Sequence, residues 1–200
     1  MNLRAPAIVL ATRQHGETAA IARLLTQEFG MVAGYVAGGR GRRLRPVVIP
    51  GNLVEAELRA KSDSQLPFAR LELVTSRGPY LTEPLPAAAI GWATALTATV
   101  LPERNPYPAL YDALGGLLEA ICHAASAREW LRAMLAYEAL VMRELGYGGS
   151  LPPKDEDLDA LLDRFARTGP DIARYLLADR RGDVMAAREM LRERLLRMVG

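Results

Sequence analysis

The chain has 200 residues, half of them hydrophobic, with a formal net charge of +2 and a mean hydropathy near zero. That is enough for one or two domains with a proper core, and it excludes a disordered tail. No apolar run reaches the roughly 18 residues of a membrane span, and the amino terminus lacks the charged and apolar regions of a signal peptide, so a cytoplasmic protein is expected.

Up to about residue 76, short apolar segments are separated by turn signals: Ala7 to Thr12, Ile21 to Thr26, Met31 to Ala37, Leu53 to Ala60 and Phe68 to Val74. Period-two alternation is clear in "LVEAELRA" and "ARLELV". The segment "TAAIARLLTQEF" fits a short helix as well as a strand, although the "EFG" turn before Met31 favours a hairpin. Five strands, with a long connection between the third and fourth, predict a small barrel of OB type.

From Glu83 onward the period becomes helical, through "PAAAIGWATALTATVLPE", "YPALYDALGGLLEAICHAAS" and "SAREWLRAMLAYEALVMRELGYGG". In the last of these Ser126 and Glu129 are expected to form a capping box and Gly146 supplies the stop. Trp130, Met134, Tyr137 and Val141 line one face, the pattern of a bundle core. Three shorter helices are predicted around Leu158 to Arg167, Asp171 to Ala178 and Asp183 to Met198. The fold class is therefore α+β: an OB-type barrel over residues 1–78 followed by an all-α domain over residues 79–200.

Charge is distributed unevenly. Residues 1–80 carry eleven Lys and Arg against six Asp and Glu, while the remainder is acidic or balanced. This asymmetry suggests that the barrel meets a polyanion. Arg164, Arg167, Arg174, Arg180 and Arg181 are balanced by nearby acids and are weak candidates for the same role.

A single Cys122, with only His15 and His123, leaves no internal disulfide and no credible zinc set, so folding is expected to need neither metal nor cofactor. The stretch "GYVAGGRG" follows a strand but lacks the Gly-Lys-Ser/Thr of a phosphate loop. Neither a nucleophile elbow nor a zinc-protease signature is present. The group "KDEDLD" at Lys154 to Asp159 is read as acidic charge at a helix start. An enzyme is not expected.

The arginine loop "GGRGRRLR" stands out. Arg40, Arg42, Arg43 and Arg45 repel one another, and the glycines Gly38, Gly39 and Gly41 are expected to keep the loop mobile, as a clamp that follows a phosphate backbone. A solvated connection without a partner is the alternative. Arg13, Lys61 and Arg77 extend the patch if the barrel puts them on the same side. With only Phe29, Tyr35, Phe68 and Tyr80 in this region, no chain of base-stacking platforms is expected. Binding should then be electrostatic and tolerant of single and double strands.

The ordered set "APAIVLATRQHGETAAIARLLTQEFGMVAGYVAGGRG", "LVEAELRAK", "RELGYGG" and "AAREMLRERL" resembles the bacterial recombination mediator RecO family over nearly the whole chain, most specifically over residues 6–61. The resemblance implies a non-enzymatic role in RecF-pathway repair. In that role the protein binds single- and double-stranded DNA, anneals complementary strands, and helps load RecA with RecR as partner, RecF being involved indirectly. It implies a cytoplasmic protein, at the nucleoid when DNA-bound. Many members carry a four-cysteine zinc module after the "LGY" helix end; here "GGSLPPKDED" passes directly to the last helices, so that module is absent after residue 147. The family also binds the carboxyl-terminal tail of single-stranded-DNA-binding protein, whose acidic and phenylalanine ending needs an apolar pocket with a cation at its rim. Arg128 and Arg132, one turn apart beside Trp130, and Arg104 before the neighbouring helix are the candidates; merely exposed helix charges are the alternative. An OB-type module that binds tRNA or ribosomal RNA is the competing reading, since an RNA reader would prefer RNA and select by structure.

Overall fold

A computed structural model describes residues 2–62, 65–179 and 183–199. Alternation builds the first part of the chain. Strands β1 (Asn2–His15), β2 (Ala19–Thr26), β3 (Gly30–Val36), β4 (Leu53–Arg59) and β5 (Phe68–Thr75) close into a barrel in the order β1-β2-β3-β5-β4. Only the β3–β5 contact is parallel. This is the expected five-stranded OB-type barrel, and the whole is α+β.

Strand β1 is longer than its apolar stretch suggests because it serves two neighbours. Its first half pairs with β4 and its second with β2, and a register shift between Val9 and Ala11 bends it between them. The ambiguous segment is strand β2. Its Ala22 and Leu24 enter a barrel core with Val9, Val32, Val54 and Leu58. Burial of each larger side chain contributes about 1.5–3 kcal/mol, more than the helix propensity of the segment.

The chain divides into two compact units, one of Met1–Thr82 with Leu101–Tyr111 and the other of Glu83–Val100 with Asp112–Gly200. The segment after Leu101 joins the barrel's unit through backbone pairing. The Arg104 N–H donates to the Met31 carbonyl at 2.8 Å, Glu103 bridges Met31 in parallel, and its carboxylate lies 3.6 Å from Arg23.

Helices follow at α1 (Pro84–Val100), α2 (Pro108–His123), α3 (Ala127–Glu144), α4 (Leu158–Ile172) and α5 (Met185–Val199). Trp130, Met134, Tyr137 and Val141 are buried on α3, as their spacing predicts. Ser126 is the N-cap of α3, but its side chain makes no capping bond; only its carbonyl accepts, from the Glu129 N–H at 3.2 Å. The stop at Gly146 is a Schellman closure, with Gly146 in the left-handed region (φ 87°) and Tyr147 N–H donating to the Met142 carbonyl at 2.9 Å. The two helices expected before and after Pro170 are one continuous run. Pro170 removes a donor inside α4, and a single π-helical turn over Ala173–Leu177 absorbs the mismatch. Asp157 caps α4 through the Ala160 N–H, as the acidic group before it suggests, and Asp183 caps α5 through Ala186.

At the centre of the helical unit, Glu138 of α3 accepts from Arg188 of α5 through both oxygens at 2.9 Å and from the Trp92 indole of α1 at 2.8 Å. Arg188 also donates to Thr168 of α4 and stacks 3.7 Å from the centre of the Phe165 ring. Four helices are thus registered by one buried charge pair. Burial raises the Tyr137 hydroxyl far above its ordinary pKa, its bond to Thr97 opposing the shift only in part.

Candidate nucleic-acid interface

The arginine loop is folded. Leu44 N–H and Arg45 N–H both donate to the Gly41 carbonyl, and Val47 and Val48 N–H to that of Leu44, so residues 41–48 form consecutive helical turns. Val48 is buried in the barrel core and Leu44 and Val47 pack against it, so the underside of the loop plugs the barrel. The expectation that its glycines confer mobility is corrected. Gly38 is needed for its left-handed φ of 67°, and a Cβ on Gly39 would come within 2.8 Å of Ala20 Cβ.

The residue that holds this loop escaped sequence reasoning. Asn52 is fully buried; its Nδ2 donates to the Pro46 and Val47 carbonyls at 2.8 and 3.0 Å, and its Oδ1 accepts from the Arg77 N–H at 2.7 Å. A polar residue between Gly51 and an apolar strand was the only signal available. The loop is also tied to the β1–β2 turn: the Arg40 N–H donates to the Thr18 carbonyl, and the Arg40 guanidinium to that of Glu17 at 2.8 Å.

The upper surface of the loop presents Arg42, Arg43 and Arg45, all exposed and without an ion-pair partner among the described residues. Arg13 is exposed on β1, at the edge of a cleft of about 330 Å³ with Ile21 and Arg23. Lys61 is exposed in the β4–β5 connection, beside a groove of about 730 Å³ that also borders Phe68. Arg77 is different. Only 4% of it is exposed, so it is withdrawn from the surface on which it was expected to extend the patch.

Other barrel cations neutralise themselves. Arg4 pairs with Glu55 at 2.9 Å, Arg59 with Glu57, and Arg70 with Glu72 at 3.4 Å, covering the outer side of β1, β4 and β5 with alternating charge. The barrel therefore has one self-compensated side, while its uncompensated cations lie on the loop, near the β1–β2 turn and in the β4–β5 connection.

The outer surface between these cations brings together aromatic residues that are scattered in the sequence. Cross-strand register places Arg13 opposite Ile21, Ile21 opposite Tyr35, and Tyr35 opposite Phe68. His15 meets Tyr35 edge-to-face at 5.6 Å, and Tyr35 meets Phe68 in the same way at 5.2 Å. Phe68 is 65% exposed. Three rings from three different strands form one outward row.

The candidate tail site is not assembled as its spacing suggested. Both Arg128 and Arg132 donate to the Glu156 carbonyl at 2.9–3.0 Å, Arg132 also donates to that of Pro153, and Trp130 is buried. These arginines clamp the segment before α4 onto α3, and Arg104 belongs to the other unit. Glu156 is in turn held by Arg164, whose guanidinium keeps that carboxyl below its ordinary pKa. Arg174 lies over the Tyr175 ring; Arg180 and Arg181 lie outside the described residues. Among the described residues no group of three or more His, Cys, Asp or Glu could hold a metal ion, and no helix is long and apolar enough to cross a membrane.

Comparison with known proteins identifies the family of the chain. The model of the Recombination protein O N-terminal family matches residues 1–77, and that of the Recombination protein O C-terminal family matches residues 83–151. A DNA repair protein RecO from Rhodospirillum centenum is 44% identical over 144 residues, 71% of this chain and 56% of that relative. Proteins of the same name from Phenylobacterium zucineum (39% over 150 residues, 74% and 60%) and Caulobacter vibrioides (39% over 144 residues, 71% and 58%) match similarly. The chain thus spans less than two thirds of the length of these relatives. Both family matches, in order along the chain and joined on an OB-type barrel, place the protein in the RecO family.

Proposed function

We propose that this protein is a non-catalytic DNA-binding factor of DNA repair, which holds strands by their phosphates on the barrel and promotes annealing of complementary sequences. The observation that carries the reading is the partition of charge on the barrel. One side is cancelled by Arg4–Glu55, Arg59–Glu57 and Arg70–Glu72, while Arg42, Arg43, Arg45, Arg13 and Lys61 have no ion-pair partner among the described residues. Cations left without a partner inside the fold can release counterions from a nucleic-acid backbone. Two strands repel through their phosphates, and a surface that screens both lowers the barrier to pairing without nucleotide hydrolysis.

Family membership supports the expected partners, RecR and the tail of single-stranded-DNA-binding protein, and through them RecF and RecA. The tail is not assigned to Arg128 and Arg132, which are engaged with backbone carbonyls. The test is strand annealing of plain complementary DNA beside salt-dependent binding to single-stranded DNA, duplex DNA and RNA. Annealing with salt-sensitive DNA binding supports the proposal. A clear preference for structured RNA, with no annealing, would replace it by the RNA-binding alternative.

A further inference from the structure

We infer that the outer row His15–Tyr35–Phe68 is a stacking platform for the unpaired bases of single-stranded DNA, and that it gives the barrel a preference for single strands over duplex. The inference rests on the DNA-binding reading and deepens it.

Phe68 is the most exposed large hydrophobic residue described, at 65%, although it starts a strand whose next residue, Ala69, points into the core. Its neighbours hold it in position: Tyr35 stands opposite in register with its ring at 75° to that of Phe68, and His15 stands at 88° to Tyr35. An edge-to-face contact leaves at least one face of each ring clear of the other. The row runs between the cleft beside Arg13 and the groove beside Lys61, so a cation flanks it at either end. From Arg13 on β1 to Phe68 on β5 is three strand spacings, about 14 Å, which suits a strand laid across an OB barrel of roughly 4–16 nucleotides capacity.

Charge alone would fit any polyanion. Rings between cations fit a polyanion that also offers flat apolar faces, and in duplex DNA those faces are already covered by neighbouring base pairs. Stacking also uses the face of a base and leaves its pairing edge open. A strand held in this way is ordered yet still able to meet its complement, which is what an annealing surface requires. Because stacking releases no counterions, this part of the affinity survives at salt concentrations that remove the phosphate part.

The experiment compares the wild-type protein with Phe68→Ala and Phe68→Tyr, using an oligothymidine of about 12 nucleotides, an abasic strand of equal length and charge, the same length of duplex, and oligouridine. Wild type should bind oligothymidine more tightly than the abasic strand. Phe68→Ala should lose about 5- to 100-fold for oligothymidine, keep its affinity for the abasic strand and duplex, and leave the salt slope unchanged; Phe68→Tyr should retain binding. Equal binding of abasic and base-bearing strands by wild type, or a silent Phe68→Ala, overturns the platform while salt-dependent binding keeps the phosphate reading intact. Absence of salt-dependent binding to every strand overturns both. Tighter binding of oligouridine than oligothymidine overturns the assignment to DNA.

Discussion

Replacing Arg42, Arg43 and Arg45 by alanine separates the charge of the loop from its architecture. The three guanidinium groups are exposed and have no ion-pair partner among the described residues, whereas Arg40 already donates to the Glu17 carbonyl and is left in place. Each phosphate contact on a single strand contributes about 0.7 to the slope of log affinity against log salt, so three should flatten it by about 2. Between 50 and 200 mM salt the wild-type affinity should then fall about 18-fold more than that of the variant. The backbone bonds to Gly41 and Leu44 and the apolar underside at Leu44, Val47 and Val48 are untouched, so stability should change by no more than about 0.5 kcal/mol. Fluorescence anisotropy of a labelled strand across a salt series, with a urea melt of both proteins, measures the two quantities. A variant with an unchanged melt and an unchanged slope would show that the loop contacts no phosphate.

Asn52→Ala should cost about 2–4 kcal/mol in a urea melt, because it strands the Pro46 and Val47 carbonyls and the Arg77 N–H, and it should speed tryptic cleavage at the loop arginines. Glu138→Gln should cost about 3–5 kcal/mol by leaving Arg188 buried without its counter-charge, while Glu138→Leu combined with Arg188→Met should recover most of that loss in the same melt. The Glu156 carboxyl, with its pKa lowered chiefly by the bond from Arg164, stabilises the fold above the unfolded value of about 4.3, and the contribution disappears as pH falls through the depressed folded value. Thermal melts of wild type and Arg164→Gln across pH 6 to 3 should therefore converge at the acid end; parallel curves would remove the pair from the acid response.

The strands were legible because alternation and turn residues are local signals, as in "LVEAELRA". What the local signals could not settle was β2, where alanine and leucine satisfy a helix as readily as a strand until Ala22 and Leu24 find places between Val9 and Val32 inside the barrel. The helices expected at Leu158 to Arg167 and Asp171 to Ala178 are one run, because burial of Phe165, Ile172 and Leu176 along it outweighs the local cost of Pro170. The loop was found through its arginines, and its glycines were misread because the apolar plug of Leu44, Val47 and Val48 depends on where the barrel opens.

The site itself depended on information that residue counts lack. Eleven basic residues against six acidic ones in the first 80 give a net excess but not its location: Arg4, Arg23, Arg59 and Arg70 are paired with acids and Arg77 is buried. The cations outside those pairs are Arg13, Lys61 and the loop arginines, so pairing rather than number decides where a polyanion can bind. Aromatic residues fail the count in the other direction. Few rings are present, but His15, Tyr35 and Phe68 each fall on the outward parity of their strands, and the closure of β5 onto β3 turns three scattered residues into one surface. Once strand boundaries are known, outward parity is computable from sequence, and the neighbours Val32, Gly34 and Val36 already mark Tyr35 as outward. The pairing of β3 with β5 is not, since it joins residues 33 positions apart through a connection whose length leaves the register open.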